Sequence, residues 1–166
     1  NSNRDIALVD VAISKEMFIG SRAIWDVETL KEVFLAKFEV DSLGLSSIGA
    51  AVNPTNNDFK RGLHIKIGHG GFYVVAPVAP GLVSKIPILN WSYTRVDQAI
   101  AIGLTPSTIA LDGERSYRIL EGQTASVTLR ENGPPVVSVD SAIRHAYSNG
   151  ILSNSTINTI GNTSQT

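Results

Sequence analysis

The chain contains no cysteine. A disulfide framework and a thiolate metal site are therefore both excluded. An excess of either charge is lacking too: 14 Lys and Arg face 15 Asp and Glu, for a formal net charge of −1. No basic block or basic-aromatic stripe disturbs that balance, which argues against a nucleic-acid footprint. No apolar run approaches the roughly 20 residues of a membrane span, and no secretory signal is legible. The default location is the cytoplasm, with neither a nucleic acid nor a membrane as partner. The phosphate-cradling patterns G-x-x-x-x-G-K-[ST] and G-x-G-x-x-G are missing, as is the serine elbow G-x-S-x-G.

What remains is a 166-residue chain with 43% hydrophobic residues. That suits one globular domain, with or without a tail, burying roughly 70% of its unfolded surface. The chain opens Asn1-Ser2-Asn3 without an initiator Met and runs at once into an apolar segment. This suggests a fragment whose preceding domain is missing, although processing gives the same appearance.

The clearest local signal is Thr108 to Ile119, where two alternating runs flank Asp112-Gly113. Gly accepts positive φ and Asp tolerates it, so the pair predicts a type I′ turn and a β-hairpin with an acidic tip. Asp5 to Ile13 reads as an early strand. Asp26 is a good N-cap, and Val27, Leu30, Val33, Phe34 and Phe38 follow at helical spacing, so a helix is expected over 27–37. Ser42 to Ile48 reads as a strand ending in Gly49, and 53–58 as a loop. Leu63 to Ile67 reads as a strand closed by Gly68, and Phe72 to Ala76 as a second short one. Leu82 to Leu89 contains Pro87, which implies an edge strand or a bulge. Trp91 to Arg95, Ala99 to Ile102, Thr124 to Arg130 and Val136 to Val139 add further short strands. Asp140 can cap a helix over 141–148 that stops at Asn149-Gly150. Many short strands with close turn signals make the fold mainly β, a sandwich-like domain with one or two short helices. The domain is expected over 1–152, with 153–166 a polar tail.

Little dedicated chemistry is visible. His64 and His69 are five apart with no obvious third ligand, a poor zinc pattern, and His145 belongs to a helix surface. Gly70-Gly71 after His69 can present successive amides to an anion, or simply form a turn. Ser46-Ser47-Ile48-Gly49 is a small-residue segment of the kind that binds phosphate or ribose through hydroxyl and backbone donors. Asp112 and Glu114 form an acidic pair, more naturally read as solvated turn residues than as magnesium ligands. Trp25 and Trp91 read as core or interface anchors.

Several segments taken together resemble a known family. They are Gly71 through Gly81, Leu111-Asp112-Gly113-Glu114-Arg115, Gly122-Gln123 and Gly133 to Val137. Asp10 to Ile13, Phe18 to Ala23 and Gly44 to Gly49 join them. The whole, about residues 5–150, resembles the C-terminal region of the acetoin catabolism protein X (AcoX) family, relatives of NAD kinases and, more distantly, diacylglycerol kinases. The resemblance implies a β-rich sandwich that helps bind a dinucleotide beside an N-terminal α/β domain bearing a Gly-Gly-Asp-Gly motif. That motif does not occur in this chain. It places Ser46, Ser47 and Gly49 near the substrate loop, Gly70 and Gly71 near the glycine-rich segment after it, and Asp112 on the late Asp-Gly hairpin. The fuller Thr-Pro-Thr-Gly-Ser pattern of that loop is missing. The implied ligand is a nucleotide or small phosphorylated molecule, with NAD or ATP and magnesium as cofactors of the whole protein. The implied partners are the missing domain and further copies of the chain. The chain alone should be inactive as a kinase, and a non-catalytic structural or oligomerisation module is the alternative.

Overall fold

The computed structural model describes residues 3–16, 27–53, 61–135 and 137–152. The fold is mainly β with two helices. Unit 1 runs to Asn132 and carries the sheets; the remainder forms a second unit. Six strands build an antiparallel sheet: β1 (Asp10–Ser14), β2 (Leu30–Leu35), β3 (Gly62–Ala79), β4 (Leu82–Thr94), β6 (Ser107–Leu111) and β7 (Arg115–Ile119), in the order β4-β3-β2-β1-β6-β7. Between β4 and β6 lies β5 (Ala99–Ala101), which pairs with β8 (Ser126–Thr128) as a separate two-stranded sheet.

Both faces of the large sheet are covered. One face meets α1 (Leu45–Val52) through a core that includes Val33, Leu35, Phe38, Ile48, Leu63, Ile65 and Ile88. The other buries Ile13 and Phe34 with Ile102, flanked by Ile100, Ala125 and Val127 of the small-sheet layer. β2 is thus buried on both sides, and five of its six residues are buried. This corrects the expected helix over 27–37. Leu30, Val33 and Phe34 fit helical spacing, but a strand covered on both faces loses its period-2 alternation and gives the same apolar run.

The expected strand over 42–48 is instead the start of α1. Nothing in it signals a helix: it has no acidic residue in its first turn and no side-chain cap. Close packing selects it. A Cβ on Gly49 would lie 2.4 Å from Leu35 Cδ1 and 2.8 Å from Phe38 Cβ.

The two short strands expected at 63–67 and 72–76 form one long strand, β3. The register slips between Ile67 and Phe72, both opposite Ile88, so residues 68–71 stand out of the ladder as a bulge. Such insertions bend a strand. The bend is required: from Leu63 to Pro77 a straight strand would run about 45 Å. Yet Gly44 N–H reaches Pro77 O at one end of α1. At the other end Asn53 Nδ2 donates to the hydroxyl of Tyr93, which pairs with Leu63. That helix is only about 12 Å long. The β3–β4 arm therefore curls over α1, burying Val74, Ala76, Ile86 and Ile88 on its inner side.

Other expectations hold. Asp112 and Gly113 have φ of 51° and 67°, and Glu114 N–H bonds Leu111 O, as in a type I′ turn. Pro87 lies in β4, an edge strand. Trp91 and Tyr93 continue β4 rather than starting a new strand. In the second unit, α2 (Val139–Ser148) is capped by Ser138 rather than Asp140, and Val139 opens the helix instead of closing a strand. The Asp26 cap, Trp25, the segment Phe18 to Ala23, residues 54–58 of the loop and the tail 153–166 lie outside the described residues.

Gly71 carries the first prediction. A Cβ there would lie 2.2 Å from Ile88 O and 2.7 Å from Leu89 O, both backbone atoms. Gly71→Ala is expected to cost about 1–3 kcal/mol in urea denaturation. Gly133→Ala, which meets open space, should stay within about 0.5 kcal/mol of the parent. Equal effects would remove the bulge from the account.

Candidate functional site

Ser46, Ser47 and Gly49 come together on the buried side of α1. The Ser47 hydroxyl lies 2.6 Å from Gly44 O and 3.1 Å from Pro77 O. Gly44 itself has φ of 79° and caps the helix. Ser47 ties the start of α1 to the far end of β3, and both serines are buried.

Gly70 and Gly71 sit elsewhere, on the bulge, where the backbone is exposed. Gly70 has φ of 109°, a conformation that suits glycine. Around them His69 Nδ1 lies 3.2 Å from the Tyr73 hydroxyl, and Lys85 Nζ stands 4.4 Å from the Tyr73 ring centroid. This is a cluster of one lysine and two aromatic rings beside exposed backbone.

Asp112 joins neither group, because β6 is separated from β3 by β2 and β1. Its carboxylate accepts three successive amides: Leu8 at 2.7 Å, Val9 at 2.8 Å and Asp10 at 3.1 Å. Arg115 adds bonds to Asp5 Oδ1 at 2.6 Å and Ile6 O at 2.7 Å, and the Tyr117 hydroxyl donates to Asp5 Oδ2. The hairpin thereby grips residues 5–10. The Tyr117 bond, the Ile6 amide and Arg115 hold the Asp5 carboxyl below its usual range. Asp10 responds oppositely: burial, then the charge of Asp112, pushes it up to about 6.

Sequence reading missed one polar group. Glu32 and His64 are buried in the middle of the sheet, with His64 Nε2 donating to Glu32 Oε2 at 2.7 Å. Gly103 N–H donates to Glu32 Oε1 at 2.8 Å, and Phe34 stacks on the His64 ring at 4.2 Å. Burial opposes ionisation of Glu32. The bonds from His64 and Gly103, with the charges of His64 and Lys66, outweigh it and lower its pKa. Residues 32, 64 and 103 share no local motif, so only the strand pairing reveals them. Nearby, the buried hydroxyls of Ser107 and Thr108 have no hydrogen-bond partner among the described residues.

These features define an antiparallel β domain whose polar side chains mostly brace its own backbone. The chain belongs to the acetoin catabolism protein X C-terminal domain family, whose model matches residues 1–132. It is 36% identical over 146 residues to the acetoin catabolism protein X of Cupriavidus necator. That alignment covers 86% of this chain but 41% of the relative, so the chain spans less than half of that protein's length. No solved structure matches it. No helix among the described residues is long and apolar enough to cross a membrane.

Two substitutions test the grip on residues 5–10. Asp112→Gly keeps the positive-φ turn but removes the carboxylate, and should cost about 2 kcal/mol while amide exchange at 8–10 accelerates. Unchanged exchange there would exclude the grip. For Asp10 the sign follows from its raised pKa. Its penalty on folding is full above about pH 6 and is relieved as pH falls toward 3.8. Asp10→Asn should therefore raise Tm at pH 7, with the gain shrinking toward pH 4. A gain equal at both pH values would contradict the assignment.

Proposed function

We propose that this chain is the C-terminal ligand-binding domain of an AcoX-type protein related to the NAD kinases. In this reading it forms one wall of a cleft for a nucleotide or small phosphorylated substrate. An N-terminal α/β domain outside the chain supplies the other wall and the phosphoryl-transfer chemistry. The observation that supports it is the match to a C-terminal domain family, in a chain spanning 41% of its relative.

The residues present apportion the roles. Magnesium needs several oxygen ligands. Among the described residues no three His, Asp or Glu side chains are placed to hold a metal ion. Both oxygens of Asp112 are occupied by amides. The described residues do not fit that ion, and no metal-dependent step is assigned to them. For a phosphate of NAD or ATP, the exposed Gly70 and Gly71 backbone is the available donor. Ser47 fixes the helix against the arm, Ser46 and Gly49 lie buried beside it on α1, and Asp112 anchors the entering segment. Phosphoryl transfer rests on positioning and charge stabilisation, and this chain supplies at most the first. The internal engagement of Ser47 and Asp112 favours a second reading, a non-catalytic structural module.

Titration of the 15N-labelled chain with NAD, and with ATP plus magnesium, separates the two. Binding should shift the Gly70 and Gly71 amides in a saturable way at about millimolar ligand, with no phosphoryl transfer. Flat spectra throughout would leave the structural module; transfer from ATP to NAD by this chain alone would refute the division of roles.

A further inference from the structure

One stretch of strand edge, at Tyr73 to Val75 of β3, pairs with no strand among the described residues. β2 pairs with β3 only from Leu63 to Lys66. Beyond that point β3 continues to Ala79 with β4 as its one partner strand among the described residues. Pro77 O turns away from β4 to meet Gly44 N–H. In an antiparallel ladder alternate residues point both backbone groups the same way, so Tyr73 and Val75 face the same open side. Pro87, opposite Tyr73, has no N–H to give, which agrees with that phase. The outer edge of β4 is blunted by Pro87 and Lys85 at the equivalent outward positions. The β3 edge has no such protection at Tyr73 and Val75.

The strand edge itself is apolar and uncharged, with Glu39 and Asp41 in the adjoining loop. Tyr73 and Val75 are 52% and 63% exposed. Gly44 brings its loop to the same edge, where Val40 and Leu43 are also exposed. From Ile67 to Ser84 the sequence holds no Lys, Arg, Asp or Glu. An edge of this kind meets no like charge when it meets itself.

We infer that two copies of this chain join through the open edge of β3, antiparallel, with Tyr73 of each copy opposite Val75 of the other. A two-fold axis through Val74 then lets one short edge serve both partners, the usual arrangement for a closed dimer. Tyr–Val cross-strand pairs of aromatic and β-branched side chains favour the contact. The nearest cation, Lys85, sits over its own Tyr73 ring. In the dimer the backbones of the two Lys85 residues are three strand spacings apart, about 14 Å. The inference does not depend on the cleft or on any nucleotide.

The cysteine-free sequence makes the test clean. Sedimentation of the full chain between about 10 and 500 μM should show a monomer–dimer equilibrium, in the range of small interfaces. In the proposed register the two Val75 positions are diagonal neighbours about 7–8 Å apart, so Val75→Cys should be linked by a bis-maleimide of about that span. Val83→Cys, equally exposed on β4, should not be. Val75→Lys should weaken dimerisation at least tenfold with unchanged circular dichroism, whereas Val83→Lys should leave it intact. A monomer at every concentration overturns the inference. Equal linking at positions 75 and 83, which would mean face-to-face packing, or a dimer indifferent to Val75→Lys, overturns it too.

Discussion

A single carboxylate ties the layers of this domain together. Glu32 lies on the central strand β2 and is 5% exposed. One oxygen takes His64 from the neighbouring strand, and the other takes the Gly103 amide from the connection between β5 and β6. A charge buried this way is tolerated only when its partners satisfy it, and losing one partner typically costs 3–5 kcal/mol. The pair therefore disfavours any register that separates Glu32 from His64, and any seating of the small sheet that removes Gly103. Space enforces the same geometry, since a Cβ on residue 103 would lie 2.9 Å from Glu32 Oε1. Apolar packing of Ile13, Phe34 and Ile102 then closes over a polar joint already fixed in position.

The second constraint is the curl of the β3–β4 arm. One helix, α1, packs against both the flat part of the sheet and the arm that returns over it. Small residues permit this: Ser46, Ser47, Gly49 and Ala50 are all buried on α1. The same curl leaves the outer side of the arm without a layer, which is why Val75 and Val83 are exposed while Val74 and Ile86 are buried. Alternation along the arm thus records its curvature, with apolar residues on both sides but only one side covered.

What could be read from the sequence was whatever a few adjacent residues decide. Asp112-Gly113 demanded positive φ and obtained it, Pro87 implied an edge or a bulge, and Asn149-Gly150 ended a helix. What could not be read depends on residues distant in sequence. Leu30 to Leu35 becomes a strand because sheets and layers surround it, not because of its own period. Leu45 to Val52 is a helix packed so closely on Leu35 and Phe38 that residue 49 has no room for a Cβ. Glu32 and His64 are 32 residues apart, and Asp112 reaches amides more than 100 residues away. The family resemblance named the candidate segments. It could not foresee that the hydroxyl of Ser47 and the carboxylate of Asp112 would be engaged internally.

That engagement bears on what the domain is built to do. A catalytic side chain must keep a donor, acceptor or charge available to a substrate. Here Ser47, Glu32, Asp112 and Arg115 all direct theirs to the chain's own backbone or to one another. Gly70, Gly71, Tyr73 and Val75 also lie exposed on β3, where backbone groups reach the surface. Backbone groups recognise by shape and hydrogen bonding and titrate nothing, so they suit the binding of an anion or a strand rather than bond making. On the proposed reading the domain contributes position, and the chemistry comes from whatever is positioned against it.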